Sequence, residues 1–552
     1  MKHINRLAPL ALTLLTAGSY VNAQHESHNH EPPALTSVDI GTVDFQNSCK
    51  PQVKEEFNRG VSLLHSFAFA RSRTAFEQVL KSDADCAIAY WGIALTHWGN
   101  PFAGLRTAAT IEPGKKATDA GQATGNPTAR ERGYIDAVAI LFSSEEAGSQ
   151  RERVVAYEAA MQKVAATHPQ DTEAQIFTAL AIAQAALPDD KTYSRQLRAG
   201  AILEPLFERM PNHPGLAHYI IHAYDVPPLA SKALNAARAY ADIAPAVPHA
   251  LHMPSHTFTR VGMWKESVAT NIRSAESADR GGEPPAVLHA LDYMTYAYLQ
   301  MAMDSEAEAA LERLKKVLDK APQPGAPNLG GSFPAVAMPA RYAMERQHWV
   351  DAAQLSVPTA PGGPYVEAMI RFARAVGAAR SGKPNSVGPE LERLAVLREH
   401  AINMKDAYWA EIIDIQRRGA TAWHLFAQGK RSEGIAMLRE AAQHEDATEK
   451  SVVTPGPLAP AREMLGFMLL ESSRPEEALI AFDAAIAKEP NRFLALYGAG
   501  RAAEAAQQTE RAKRYYQQLV KICADASSER PELAHARKVT KKLEPSAVTT
   551  RR

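Results

Sequence analysis

The sequence predicts an all-α protein built as an array of helical hairpins. From Lys54 onward apolar residues recur at spacings of three and four, Ala, Leu and Glu abound, and no stretch alternates apolar with polar residues as a half-buried strand would. The helical stretches run about 10 to 16 residues and come in pairs, and some of their landmarks recur 34 residues apart. At 552 residues the chain exceeds one ordinary core, so a repeat array or several domains are required.

The elements follow in chain order. Lys2 and Arg6 precede an apolar run from Leu7 to Gly18, and Val21-Asn22-Ala23 has small residues at cleavage-type positions. Residues 1–23 therefore read as a secretory signal peptide cleaved near Ala23, which places the mature chain in a periplasm or outside the cell. The run is too short to span a bilayer, and no later run of 18 apolar residues exists. Residues 24–50 form a polar lead-in whose first part carries His25, His28 and His30. That first part, residues 24–36, is expected to be a disordered arm, either a weak metal collector or a plain tail. Cys49 and Cys86 flank the first hairpin. A disulfide between them would stabilise by about 4 kcal/mol on the loop-entropy estimate, whereas Cys86 could equally be a small buried hydrophobe. Cys523 is left over.

Residues 51–320 then read as an N-terminal helical array, interrupted at Gly99 to Thr128, Pro188 to Thr192 and Gly281 to Pro285. The first of these insertions could fold over the array as a lid. The Pro- and Gly-rich cluster from Ala321 to Gly331 opens a degenerate middle, 321–454, and 455–545 carries the last hairpins.

Within that last segment Glu477-Ala-Leu-Ile-Ala-Phe482 lies 34 residues before Arg511-Ala-Lys-Arg-Tyr-Tyr516, and Gly466 lies 34 before Gly500. Pro490 ends the first unit. These segments resemble the tetratricopeptide repeat, which has a small residue at position 8, Ala at 20, an aromatic at 24 and Pro at 32. Gly60, Ser72 and Phe76 match positions 8, 20 and 24 of an early unit, and Pro169, Pro211 and Pro245 match position 32. The resemblance implies a helical-hairpin repeat solenoid, a right-handed superhelix whose first helices line a concave groove, and a C-terminal array able to take a protein or peptide partner.

Seven of the 19 histidines fall between His213 and His289. Three stretches there place polar side chains on one helical stripe: His218, His222 and Asp225; His249, His252 and His256; His289, Asp292 and Tyr296. His218 to His252 and His222 to His256 are each 34 residues, one repeat length. Counted from Ala233, Ser267 and Ala307 at position 20, the two His pairs occupy positions 5 and 9. His249 and His289 occupy position 2, and Asp292 and Tyr296 occupy 5 and 9. In the tetratricopeptide family these positions face the groove, which implies that the histidines meet there.

Imidazoles from neighbouring helices, with Asp225 and Asp292 as ligands or as acceptors that fix the rings, predict a transition-metal site. Copper, zinc and iron all suit such donors, and the His-rich arm and the compartment favour copper slightly. An open ligand position would support hydrolysis or oxidation, with Tyr219, Tyr293 or Tyr296 as proton or electron donors. Pro254 is expected to kink the middle stretch between His252 and His256. Trp91 and Trp98 could wall the groove or pack in the core. His65, His97 and His213 read as structural.

Several classes are set aside. Lys+Arg and Asp+Glu number 61 each, so no basic field points to nucleic acid. Tyr219 stands where a zinc-protease HxxxH helix has Glu. Gly377 to Lys383 imitates a phosphate loop, but Pro384 replaces the Ser/Thr. The alternative to metal is an adaptor whose groove histidines hydrogen-bond a peptide.

Overall fold

Helix boundaries follow local chemistry. The Thr128 hydroxyl accepts from the Glu131 N–H while the Glu131 carboxylate accepts from the Thr128 N–H, a reciprocal cap on Ala129–Leu141. Asp171 caps Thr172–Gln184 and Asp406 caps Ala407–Ala427, each through its carboxylate. Pro214, Pro248, Pro254 and Pro284 each open a helix of the histidine-rich region, where a missing N–H costs nothing.

The computed structural model describes residues 35–146, 149–320, 329–357 and 363–542. The signal-peptide segment and the His25, His28 and His30 arm lie outside the described residues. Every regular element described is helical, and successive helices pack as hairpins, as the periodicity predicts. The small-residue positions of the repeat do what the pattern requires. A Cβ on Gly466 would come within 2.6 Å of the Phe482 ring, and one on Gly500 within 2.4 Å of Tyr516, so only glycine lets the paired helices close.

Packing runs through the expected segment boundaries. The helix Pro284–Gln300 packs on Leu329–Glu345 from the middle segment and on Phe493–Ala505 from the last one. Arg492 is the bolt between them. Fully buried, it donates to Glu463 (2.8 Å), to Glu345 (2.5 Å) and to the Tyr296 hydroxyl (3.0 Å).

Cys49 and Cys86 form a disulfide, and Cys523 is buried with a free thiol. Most of the expected lid is not one. Residues Ala108–Ala123 form a helix packed on Ile88–Trp98, and only the preceding loop reaches the histidines. No described helix is long and apolar enough to cross a membrane.

Candidate metal centre

Three helical stretches deliver the histidines. Pro214–Ala223 carries His218 and His222 one turn apart on one face. The next stretch breaks in two at Met253, giving Pro248–His252 and Pro254–Arg260, with Pro254 at the start of the second piece. Met253 keeps helical dihedrals (φ −54°, ψ −34°), so His252 and His256, four residues apart, stay on one face. Pro284–Gln300 brings His289.

The six rings sort into two trios, His218/His222/His249 and His252/His256/His289, in each of which three ligand atoms lie within 4.8 Å of one another. The trios adjoin: ring centroids of His222 and His256 are 6.0 Å apart, and those of His249 and His252 are 6.2 Å apart. Each trio takes positions 5 and 9 of one repeat unit and position 2 of the next, so the second is the first moved along by one unit.

Several ring tautomers are fixed by their partners. His218 Nδ1 donates to the His65 carbonyl at 2.6 Å. His256 Nδ1 donates to Asp225 Oδ2 at 2.9 Å. The Asn271 amide nitrogen donates to the Ser267 carbonyl, so its oxygen faces His252 Nδ1, which donates to it at 2.6 Å. These bonds leave Nε2 of all three rings unprotonated, each with a lone pair to give.

His252 Nε2 and His256 Nε2 then face each other at 3.1 Å with neither carrying a proton, and the Tyr293 hydroxyl stands 3.4 Å from His256 Nε2. His249 and His218 present Nε2 atoms 3.2 Å apart. Two nitrogens bound to one ion at about 2.0–2.1 Å would stand about 2.8–3.4 Å apart at square to tetrahedral angles. His222 has both ring nitrogens buried without a hydrogen bond, and His289 Nδ1 is in the same state.

The electrostatics keep these rings neutral. Burial first, and then the neighbouring rings, hold His218, His222, His249 and His252 far below the usual imidazole range. Burial, with His256 and Lys450 nearby, takes His289 down to about 3. Burial alone would raise the Asp225 carboxyl, but Lys450, Arg260 and the bond from His256 hold it well below the carboxylate range. Arg260 secures it at 2.8 Å through Nε and donates to its backbone oxygen as well.

The other expected residues fall elsewhere. Asp292 is buried beside Arg341 (3.7 Å), outside both trios, and burial pushes it up to about 6 despite that arginine. Tyr296 bonds Glu489 and Arg492 on the same side. Both sit at positions that hold histidines one unit earlier, yet they serve the Arg341–Arg492 cluster. Tyr293 does meet the site: its ring lies 4.7 Å from His252, and its hydroxyl donates to the Val452 and Thr454 carbonyls. Tyr219 turns away, its hydroxyl 2.9 Å from His65 Nδ1.

Trp91 packs among Phe45, Tyr134 and Phe177, and Trp98 against Phe142 and Arg106, so both belong to the core and not to the groove wall. His65 and His213 flank Glu173, each at 2.9 Å, in a buried hydrogen-bonded group. His97 joins neither trio.

A cleft of about 1320 Å³ opens onto five of the six histidines. Phe102, on the loop held by Arg106, stacks on His222 at 4.2 Å, and Phe67 stacks on His249 at 5.3 Å. The opposite wall is a strap from far along the chain, Glu449 to Val453. Glu449 Oε1 accepts from Lys191 and Tyr193, and the strap's Ser451 N–H donates to Tyr408. Sequence reading had no signal for this strap, since it is irregular and follows His289 by some 160 residues.

At the root of the strap Glu445 accepts from the Ala461 N–H, and burial pushes its carboxyl up to about 7. Unfolded, it would titrate near about 4.3. Its stabilising contribution is therefore complete below that value and is lost as pH rises through about 7. Glu445→Gln is expected to raise stability by on the order of 2 kcal/mol at pH 8 and to change little at pH 5, as read from urea midpoints.

No family model matches the chain, and no curated protein sequence matches it. Among solved structures it is similar to the APC/C hetero-tetramer Cut9-Hcn1, with 11% identity, 90% of this chain and 77% of that chain covered, and a TM-score of 0.38. It is also similar to the human IFIT1 dimer with m7Gppp-AAAA, with 11% identity, 80% and 90% covered, and a TM-score of 0.35.

Proposed function

We propose that the protein binds a pair of transition-metal ions, one on each histidine trio, and presents them to small molecules entering the cleft. The observation that carries this reading is the His252–His256 contact. Two imidazole lone pairs, each with its tautomer fixed by an acceptor on the far side, face each other at 3.1 Å. Buried like this they repel unless a cation lies between them.

The donor set narrows the ion. Six imidazoles without a carboxylate suit copper, zinc or iron and disfavour magnesium and calcium. Copper is preferred for the expected oxidising compartment, in which the Cys49–Cys86 disulfide would persist. Three protein ligands per ion leave a position open, as a catalytic or ligand-binding centre needs. The reading extends to oxidation or hydrolysis, with the Tyr293 hydroxyl beside the second trio as the nearest phenol.

Metal content by inductively coupled plasma mass spectrometry on untagged mature protein tests the assignment. About two ions per chain are expected in the wild type. His218→Ala and His252→Ala should each remove about one, and the double variant both. Absence of copper, zinc and iron even after reconstitution would overturn the metal reading and leave a groove that binds peptides.

A further inference from the structure

The metal pair alone leaves the cleft electrically incomplete. All six ring ligands are neutral, so bound ions would keep their full charge. The nearby carboxylates already face protein cations. Asp225 is the only one that hydrogen-bonds an imidazole of either trio among the described residues, and it also accepts from Arg260. Glu449 accepts from Lys191 and Tyr193, and Asp292 faces Arg341. Three cations, Arg260, Lys191 and Lys450, already stand against Asp225 and Glu449, so ions added beside them leave an excess of buried positive charge, which is costly.

Lys450 adds to the excess. It leaves the strap and enters the cleft with its side chain only 9% exposed, and its ammonium makes no hydrogen bond among the described residues. The nearest carboxylate oxygen is Asp225 Oδ1 at 3.6 Å, too long for a hydrogen bond and on a group already held by Arg260 and His256. Lys450 lines the same cleft as His222 and His289, which belong to different trios. A three-donor cation beside both trios, with no acceptor of its own, is an unfilled half of a binding site.

We propose that the cleft binds a small oxyanion between the two histidine trios and the Lys450 ammonium. The occupant is of carboxylate or deprotonated-hydroxyl type, with one oxygen toward the ions and another, or a second lone pair, toward Lys450. A compact ammonium suits such a ligand as a point charge. Lys450 is thus a ligand-binding residue and not part of the metal-holding framework. The inference rests on the metal reading above.

Isothermal titration calorimetry with sodium formate, on metal-loaded and metal-free protein, tests it beside Lys450→Met and Lys450→Arg. Formate is expected to bind the loaded wild type and not the metal-free protein. Lys450→Met should keep full metal content and weaken formate by about tenfold or more, and Lys450→Arg should restore most of the loss. Equal formate affinity in fully loaded Lys450→Met would overturn the proposal while leaving the metal reading intact. Loss of metal from Lys450→Met would also overturn it, by making the lysine part of the framework. A wild type that takes up no metal would bring down both.

Discussion

Asp225→Ala is expected to weaken metal binding at the second trio by about 10- to 100-fold and to destabilise the fold by about 3–5 kcal/mol. The two losses share one origin. Asp225 holds the His256 ring through Nδ1 and is the acceptor of the buried Arg260, while Lys450 stands close by. Removing it frees the ring and strands two buried cations together. Asp225→Asn separates the effects, since its amide oxygen can still accept from His256 while the charge is gone. It should retain more of the metal affinity than of the stability. Chelator competition reports the first quantity and urea unfolding the second, and metal affinity unaltered in Asp225→Ala would show that His256 is oriented by something else.

Arg492→Met is expected to cost about 3–5 kcal/mol and to loosen the contact between the histidine-bearing half and the last hairpins. The guanidinium serves Glu345 and Glu463 together, both buried, and also the Tyr296 hydroxyl. Methionine fills comparable space but leaves two carboxylates without a cation. Burial already pushes the Glu463 carboxyl up, so the variant should recover part of its stability near pH 5.5, where protonation removes the buried charge. Urea midpoints at pH 5.5 and 8 read this out. A loss of the same size at both would mean that packing, and not charge, is what Arg492 supplies.

Much of the fold was legible because it is local. The 34-residue spacing of Gly466 and Gly500, with Phe482 and Tyr516 behind them, encodes contacts between adjacent helices, and these are the contacts observed. The histidines were legible for the same reason: His218, His222, His252 and His256 share a stripe and a register. Their grouping was harder to read, because each trio crosses from one unit into the next. Asp292 and Tyr296 show the limit of register alone. They occupy the same positions as histidines, but Arg341 and Arg492, brought in from other segments, draw them into a different network. The strap around Lys450 was invisible, since an irregular segment announces neither its path nor its destination.

The way the trios straddle units bears on how such a protein could arise and be re-engineered. Gly215 stands at position 2 of the unit that supplies His218 and His222, and there it makes room for the His65 ring. Asp292 and Tyr296 take positions 5 and 9 after His289. The histidine pattern therefore begins and ends within three units and occupies both seams between them. The number of trios counts seams and not units: duplicating the unit that carries His249, His252 and His256 would add one seam and one trio, and deleting it would leave a single seam for His218, His222 and His289.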